Sequence, residues 1–112
     1  MLSIVKTKDI DEESFGAVKV KNLFSDRDLL TISAAMIRVE GVNRRHRNNK
    51  SDEFHFILSG TGSYVDEEEG SQVGAGDLVH IPRGQAYENS GQMTLLVFSS
   101  PSYDEKEIEY LD

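Results

Sequence analysis

Two side chains in this sequence stand at a spacing that allows them to act together. Glu53 and His55 lie two residues apart in the run Glu53-Phe54-His55-Phe56-Ile57-Leu58-Ser59, and residues i and i+2 of a strand share one face. A carboxylate beside an imidazole can tune its protonation, pass a proton or hold a cation. A second concentration of chemistry is basic: Arg44-Arg45-His46-Arg47, with Lys50 close behind. Such a cluster is either a solvated loop or a clamp for a phosphate or carboxylate. On the second reading Arg45 and Arg47 are the anion-binding pair, with Arg83 near enough to join them. His46 is correspondingly a loop histidine or a pocket residue. Arg38, on a strand otherwise rich in apolar residues, reads as a further side chain reaching into the pocket. His80, between Val79 and Ile81, receives no role.

The elements that must position these groups read as strands. Ala17 to Lys21 alternates apolar and polar residues, as a half-buried strand does. Thr31 to Glu40 forms a longer run with Ile32, Ala34, Met36 and Arg38 on one face and Ser33, Ala35, Ile37 and Val39 on the other. Its β-branched residues favour strand, and Gly41 reads as its end. Val42 to Asp52 is too charged to be predicted as buried. Glu53 to Ser59 is a strand stopped by Gly60-Thr61-Gly62, followed by a short strand from Ser63 to Asp66 and a hairpin turn at Glu67 to Gly70. Gln72-Val73 and Asp77 to Ile81 flank a Gly74-Ala75-Gly76 corner. Pro82 and Gly84 break the ladder, and Met93 to Ser99 has the continuous apolar character of a strand buried on both faces. Asp9 to Ser14 suggests one helical turn and Ser25-Asp26-Arg27-Asp28 a loop or another turn. The tail from Tyr103 carries five acids and one Lys, and either packs through Ile108 and Tyr110 or is solvated. Seven or eight short strands without a long helix predict an all-β sandwich or barrel.

Composition removes several classes of function. The 112 residues suffice for one domain with one core. A net charge of −8 opposes binding to a nucleic-acid backbone or an anionic membrane. No apolar run approaches a membrane span and Met1 to Asp9 lacks a signal-peptide core, so the expectation is a soluble cytoplasmic chain with neither nucleic-acid nor membrane partners. Cysteine is absent, which excludes disulfides, thiolate catalysis and Cys-zinc sites.

Two segments, Ser51-Asp-Glu-Phe-His-Phe-Ile-Leu-Ser-Gly-Thr-Gly62 and Gly74-Ala-Gly-Asp-Leu-Val-His-Ile-Pro-Arg-Gly-Gln-Ala-Tyr87, together resemble the cupin superfamily. Glu53 is followed seven positions on by Gly60, as at the end of the first cupin motif. Gly76 leads to Pro82-Arg83-Gly84, as at the start of the second. The resemblance spans Thr31 to Pro101 and implies an antiparallel jelly-roll barrel over about 17–101, with an N-terminal arm and an acidic tail. It also implies a homodimer, in which the N-terminal segment adds or exchanges an edge strand.

The usual metal set of the family, two His and a Glu from the first motif and a His from the second, is only partly present. Counting back from Glu53 places His46 and Asn48 at the His-x-His positions, whereas counting forward from Gly41 places Arg47 and Asn49 there. The last His position falls on Tyr87 and the closing Asn position on Gly91, with Asn89 two residues short. His46, Asn48, Glu53, His55, Tyr87 and Arg38 are therefore the expected pocket residues. His46, Glu53 and His55 are the expected ligands of one divalent transition metal (Mn, Fe, Ni or Zn), if one is held. Two functions fit. One is a barrel that binds a polar small molecule, sugar- or carboxylate-like, with its metal site partly lost. The other is a metal-dependent isomerase or oxygenase on a sugar or small acid, with Tyr87 or His55 as general acid or base.

Overall fold

The computed structural model describes residues 2–25 and 31–111; Asp26 to Asp28 of the expected turn fall outside them. Eight strands are described: β1 (Glu13–Phe15), β2 (Val18–Phe24), β3 (Ser33–Asn48), β4 (Asp52–Val65), β5 (Gly70–Gly74), β6 (Leu78–Ile81), β7 (Tyr87–Ser100) and β8 (Ile108–Tyr110). They form one antiparallel sheet in the order β1-β2-β3-β7-β4-β5, with β6 beside β4 and β8 beside β3. The architecture is the all-β jelly roll. A single helical turn lies at Thr7–Asp9, slightly ahead of its expected place, and another at Glu105–Glu107. Among the described residues no helix is long and apolar enough to cross a membrane.

The three central strands are much longer than the spacing of turn residues predicts. β3 runs for 16 residues through Gly41 and the charged stretch beyond it, β4 for 14 through Gly60-Thr61-Gly62, and β7 for 14 through Gly91. The glycines read as strand ends are instead places where paired strands bend. Gly41 pairs with Gly91, and Gly91 with Gly62, so a row of three glycines crosses the middle of the sheet. At Gly91 φ is +127° and an added Cβ would lie 2.5 Å from the Thr61 carbonyl oxygen and 2.6 Å from Gly62 Cα. At Gly62 it would lie 2.3 Å from the Ser90 oxygen. No side chain fits at either point, and their absence lets the three strands crease together without losing their hydrogen bonds.

The crease divides the sheet into two halves that face each other. The lower half supplies Val39, Ile57, Ile81, Met93, Leu95 and Val97 to the core, and the upper half closes over them with Tyr64 and Tyr87. On β3 the core takes the face with Ser33, Ile37 and Val39. On β7 Met93, Leu95 and Val97 are buried while Phe98 on the opposite face is exposed, so this run is buried on one face and not on both. The outer face of the lower half is nonetheless apolar. One row across the sheet reads Ala34, Phe98, Phe54, His80 and the next Met36, Leu96, Phe56, Leu78.

Replacing Gly91 by alanine is expected to cost about 3 kcal/mol or more, since strained φ and backbone overlap add. Gly76→Ala, with φ +93° but open space around the new methyl group, should cost only about 1 kcal/mol. Urea denaturation of the two variants checks the difference; equal losses would mean that the crease is not sterically enforced.

Candidate functional site

The crease brings residues from the two ends of the long strands onto one another. Glu53 and His55 lie on the lower half, on β4, with Asn48, His46, Tyr87, Tyr64 and Asn89 opposite on the upper half. All seven are buried. Two irregularities set which upper-half residues point inward. A bulge between Asn43 and His46 on β3 shifts the inward face from odd-numbered to even-numbered residues. His46 and Asn48 therefore turn inward and Arg47 and Asn49 do not, which decides between the two motif registers. A second bulge, between Ile57 and Ser59 on β4, does the same for Tyr64. β7 has no bulge along Tyr87, Asn89, Gly91 and Met93, so these continue inward in order.

Glu53 is the hub. Its Oε1 accepts from His55 Nε2 at 2.8 Å and from the Tyr87 hydroxyl at 3.1 Å, and its Oε2 accepts from Asn48 Nδ2 at 2.8 Å. The Asn48 amide cannot be reversed, because its Oδ1 already accepts from the backbone N–H groups of Lys50 and Ser51 at 3.0 and 2.9 Å. Burial works to raise the Glu53 carboxyl, but the hydrogen bonds from His55, Asn48 and Tyr87 outweigh it. The group lies below its ordinary value and remains a carboxylate.

A directional chain leads into this hub. His55 Nε2 faces a carboxylate and so carries a hydrogen. In the neutral ring Nδ1 then accepts from the Tyr64 hydroxyl at 2.7 Å. Tyr64 in turn bonds the Asn89 side chain, and Asn89 Oδ1 accepts from Asn43 Nδ2 at 2.9 Å. With a neutral His55 ring each donor points toward Glu53, in the order Asn43, Asn89, Tyr64, His55, Glu53. Burial pushes the Tyr64 and Tyr87 phenols upward, with the Glu53 charge adding to it, so both remain hydroxyl donors. His46 packs its ring 4.4 Å from that of Tyr87 and donates from Nδ1 to the Arg44 carbonyl at 2.8 Å; desolvation holds it below its ordinary value.

The expectations for Arg38, Arg45 and Arg47 are corrected. Arg38 lies on the outer face of β3, where Nε and Nη2 bind Glu12 at 2.9 and 2.7 Å and Nη1 binds Glu40 at 2.8 Å. It shares a face with Ala34 and Met36, which turn away from the core. Arg45 and Arg47 likewise point away from the pocket. Arg45 pairs with Glu67 at 3.5 Å, and Arg47 with Glu109 on β8 at 2.9 Å, so the acidic tail occupies the basic stretch where an anion clamp was expected. Arg44 stands over the Tyr110 ring at 4.1 Å. His46, Glu53 and His55, the expected metal ligands, line the same buried site. Both Glu53 oxygens and both His55 nitrogens are spent on neighbouring side chains, and no three His, Asp or Glu among the described residues are arranged to hold an ion. Tyr64 and Asn89 were not assigned to the pocket from the sequence; Asn89 carried a signal in its nearness to the closing motif position, whereas the β4 bulge hid Tyr64.

The sequence profile of the cupin domain family matches residues 35–99. The chain belongs to the cupin family. No curated protein matches it by sequence. Solved structures show the same fold at low identity. Pac13 of Streptomyces, a nucleoside dehydratase solved with uridine, aligns with a TM-score of 0.88 at 15% identity over 100% of this chain and 92% of its own. A protein from Planctomyces limnophilus gives 0.91 at 13% over 98% and 97%. The polyketide cyclase RemF of Streptomyces resistomycificus gives 0.83 at 17% over 100% and 87%. Cupins built on this frame thus handle small molecules of different chemistry.

Within the site, the two depressed groups His46 and Glu53 fix the sign of a pH dependence. Below the ordinary histidine value of 6.5 the unfolded chain takes a proton at His46 that the folded chain resists, so stability is lost as pH falls. Around and below 4.5 the same holds for Glu53. Urea midpoints should therefore decline from pH 7 to pH 4. His46→Gln should flatten the upper part of that decline and Glu53→Gln the lower part. A midpoint independent of pH would refute this assignment.

Proposed function

We propose that this cupin binds a neutral, hydroxylated small molecule, of sugar or nucleoside type, among Tyr64, Tyr87, His46 and the Glu53–His55 pair, and that the site works without a metal. The observation that carries this reading is the internal use of both Glu53 oxygens and both His55 nitrogens. Side chains that already satisfy one another leave no lone pairs converging on a cation, and the geometry suits exchange of hydrogen bonds with ligand hydroxyls. A buried carboxylate, with Arg38, Arg45 and Arg47 held elsewhere by acids, also disfavours an anionic ligand. The carboxylate-like alternative is therefore set aside in favour of a neutral one. The nucleoside handled by Pac13 on the same frame supports that class.

A second reading rests on the directional chain. Tyr64, His55 and Glu53 form the donor, carrier and acceptor arrangement of a general acid–base site. A ligand hydroxyl that displaced Tyr87 or Tyr64 from it would sit within reach of the imidazole, as proton-transfer or elimination chemistry requires.

Thermal shift and calorimetric titration with uridine and a panel of neutral monosaccharides test the binding reading. Saturable binding is expected, weakened about tenfold or more in Tyr64→Phe and Tyr87→Phe, since each removes a hydrogen bond from a buried site. Elemental analysis of protein prepared without a metal-binding tag should find far less than one metal per chain. Near-stoichiometric Mn, Fe, Ni or Zn that vanishes in Glu53→Ala would overturn the metal-free reading. Conversion of a bound ligand by the wild type, lost in His55→Gln with binding retained, would establish the acid–base reading.

A further inference from the structure

Each residue of the pocket is at most 7% exposed, so a small molecule reaches it only after a covering element has moved. On one side of the rim the turn after β6 is pinned by backbone N–H groups. Gly84 donates to the Asn48 carbonyl at 2.8 Å and Arg83 to the Asp52 carboxylate at 2.8 Å. On the other side lies the acidic tail, whose strand β8 has only three residues, at the edge of β3. Ile108 and Tyr110 stand opposite Asn48 and His46 and share their inward face, whereas Glu109 stands opposite Arg47 and faces out. The Tyr110 ring lies 5.8 Å from that of His46. Partial burial pushes the Tyr103 phenol up to about 12, with the Glu53 charge adding to it, so this ring too stands near the pocket.

Beside the tail is a cleft of about 330 Å³, lined by Phe15, Ala17, Val42, Asn43, Arg44 and Tyr110, a volume suited to a small ligand. Two of these residues also reach the pocket: Tyr110 contacts the His46 ring, and Asn43 begins the hydrogen-bond chain that runs to Glu53. We propose that this cleft is the entry site for a neutral small molecule and that segment 103–111 is its gate, with Tyr110 as the leaf that swings aside. The base of the segment is firmly held. Ser102 is buried, Ser51 Oγ donates to the Pro101 carbonyl at 2.6 Å, and Tyr103 N–H donates to Ser33 Oγ at 2.9 Å. Beyond it the outer face of β8 is latched by Glu109, which accepts from Arg47 Nε at 2.9 Å and Asn49 Nδ2 at 3.1 Å. The Arg47 and Glu109 side chains are 38% and 44% exposed, and such pairs are weak and screened by salt. A short edge strand held in this way opens locally at far less cost than global unfolding. The gate rests on the reading that the pocket takes a small molecule, but its opening is measurable without one.

Carbethoxylation by diethyl pyrocarbonate, followed at each histidine by mass spectrometry, reads the opening. His80, with its side chain 51% exposed, is the internal reference. In the wild type His46 should react at least about tenfold more slowly than His80. Arg47→Glu should speed His46 about tenfold with His80 unchanged, and adding Glu109→Arg should restore the slow rate. The chain has no cysteine, and Arg47 and Glu109 are direct ladder partners, whose Cα spacing of about 5.5 Å suits a disulfide. Arg47→Cys combined with Glu109→Cys should therefore slow His46 below the wild-type rate when oxidised and recover on reduction, a reversal that misfolding would not show. Val42→Trp, which fills the cleft, should also slow His46; an unchanged rate there would overturn the entry route. Wild-type His46 labelled as fast as His80, or labelling indifferent to oxidation of the cysteine pair, would overturn the gate. Failure of uridine and the monosaccharides to bind while the disulfide still controls His46 would sink the binding reading alone. Their binding with labelling unmoved by the disulfide would sink the gate alone.

Discussion

The crease at Gly41, Gly91 and Gly62 is the constraint on which the rest depends. Without it the three long strands would extend as a flat ribbon, with Glu53 and Tyr87 at opposite ends of the sheet. With it, the ends meet, the lower half gains a lid of tyrosines, and the pocket becomes the inside of one folded sheet. The requirement is steric before it is energetic. The backbones at Gly62 and Gly91 approach so closely that no Cβ can be accommodated, so the geometry of the pocket follows from two missing side chains.

What the crease brings together is a network with little slack. A buried carboxylate is costly unless its hydrogen-bonding capacity is filled. Asn48, His55 and Tyr87 fill it from three directions. In the cupin frame such positions are where a metal would share that burden. Here Asn48 stands in one of them and contributes an N–H donor, which stabilises a carboxylate but opposes a cation.

Much of this was legible in the sequence, and the rest was hidden for identifiable reasons. Glu53 and His55 could be placed on one face because no bulge lies between them. Tyr87 followed from its distance to the Pro-Gly break. Strand lengths were misjudged because a glycine in a bent ladder looks the same as a glycine that ends a strand. The charged stretch after Gly41 appeared unfit for burial, yet a strand buries only alternate residues, and His46 and Asn48 take the inward positions while the arginines face out. Tyr64 was concealed by a one-residue bulge that reverses parity. Arg38 was misplaced because both faces of its strand carry apolar residues, and only the tertiary structure shows that one of these faces is outside.

The one-way chain of donors has a consequence for what can travel along it. Tyrosine and histidine can release one proton and take up another, but a primary amide cannot do so without an energetically forbidding charge. Any proton relay is therefore confined to the segment from Tyr64 to Glu53. Asn89 and Asn43 act as an insulated terminal: they hold the polarity of the line and pass no charge. On the acid–base reading such a line is closed at its amide end, so a proton exchanged at the pocket would return through the pocket.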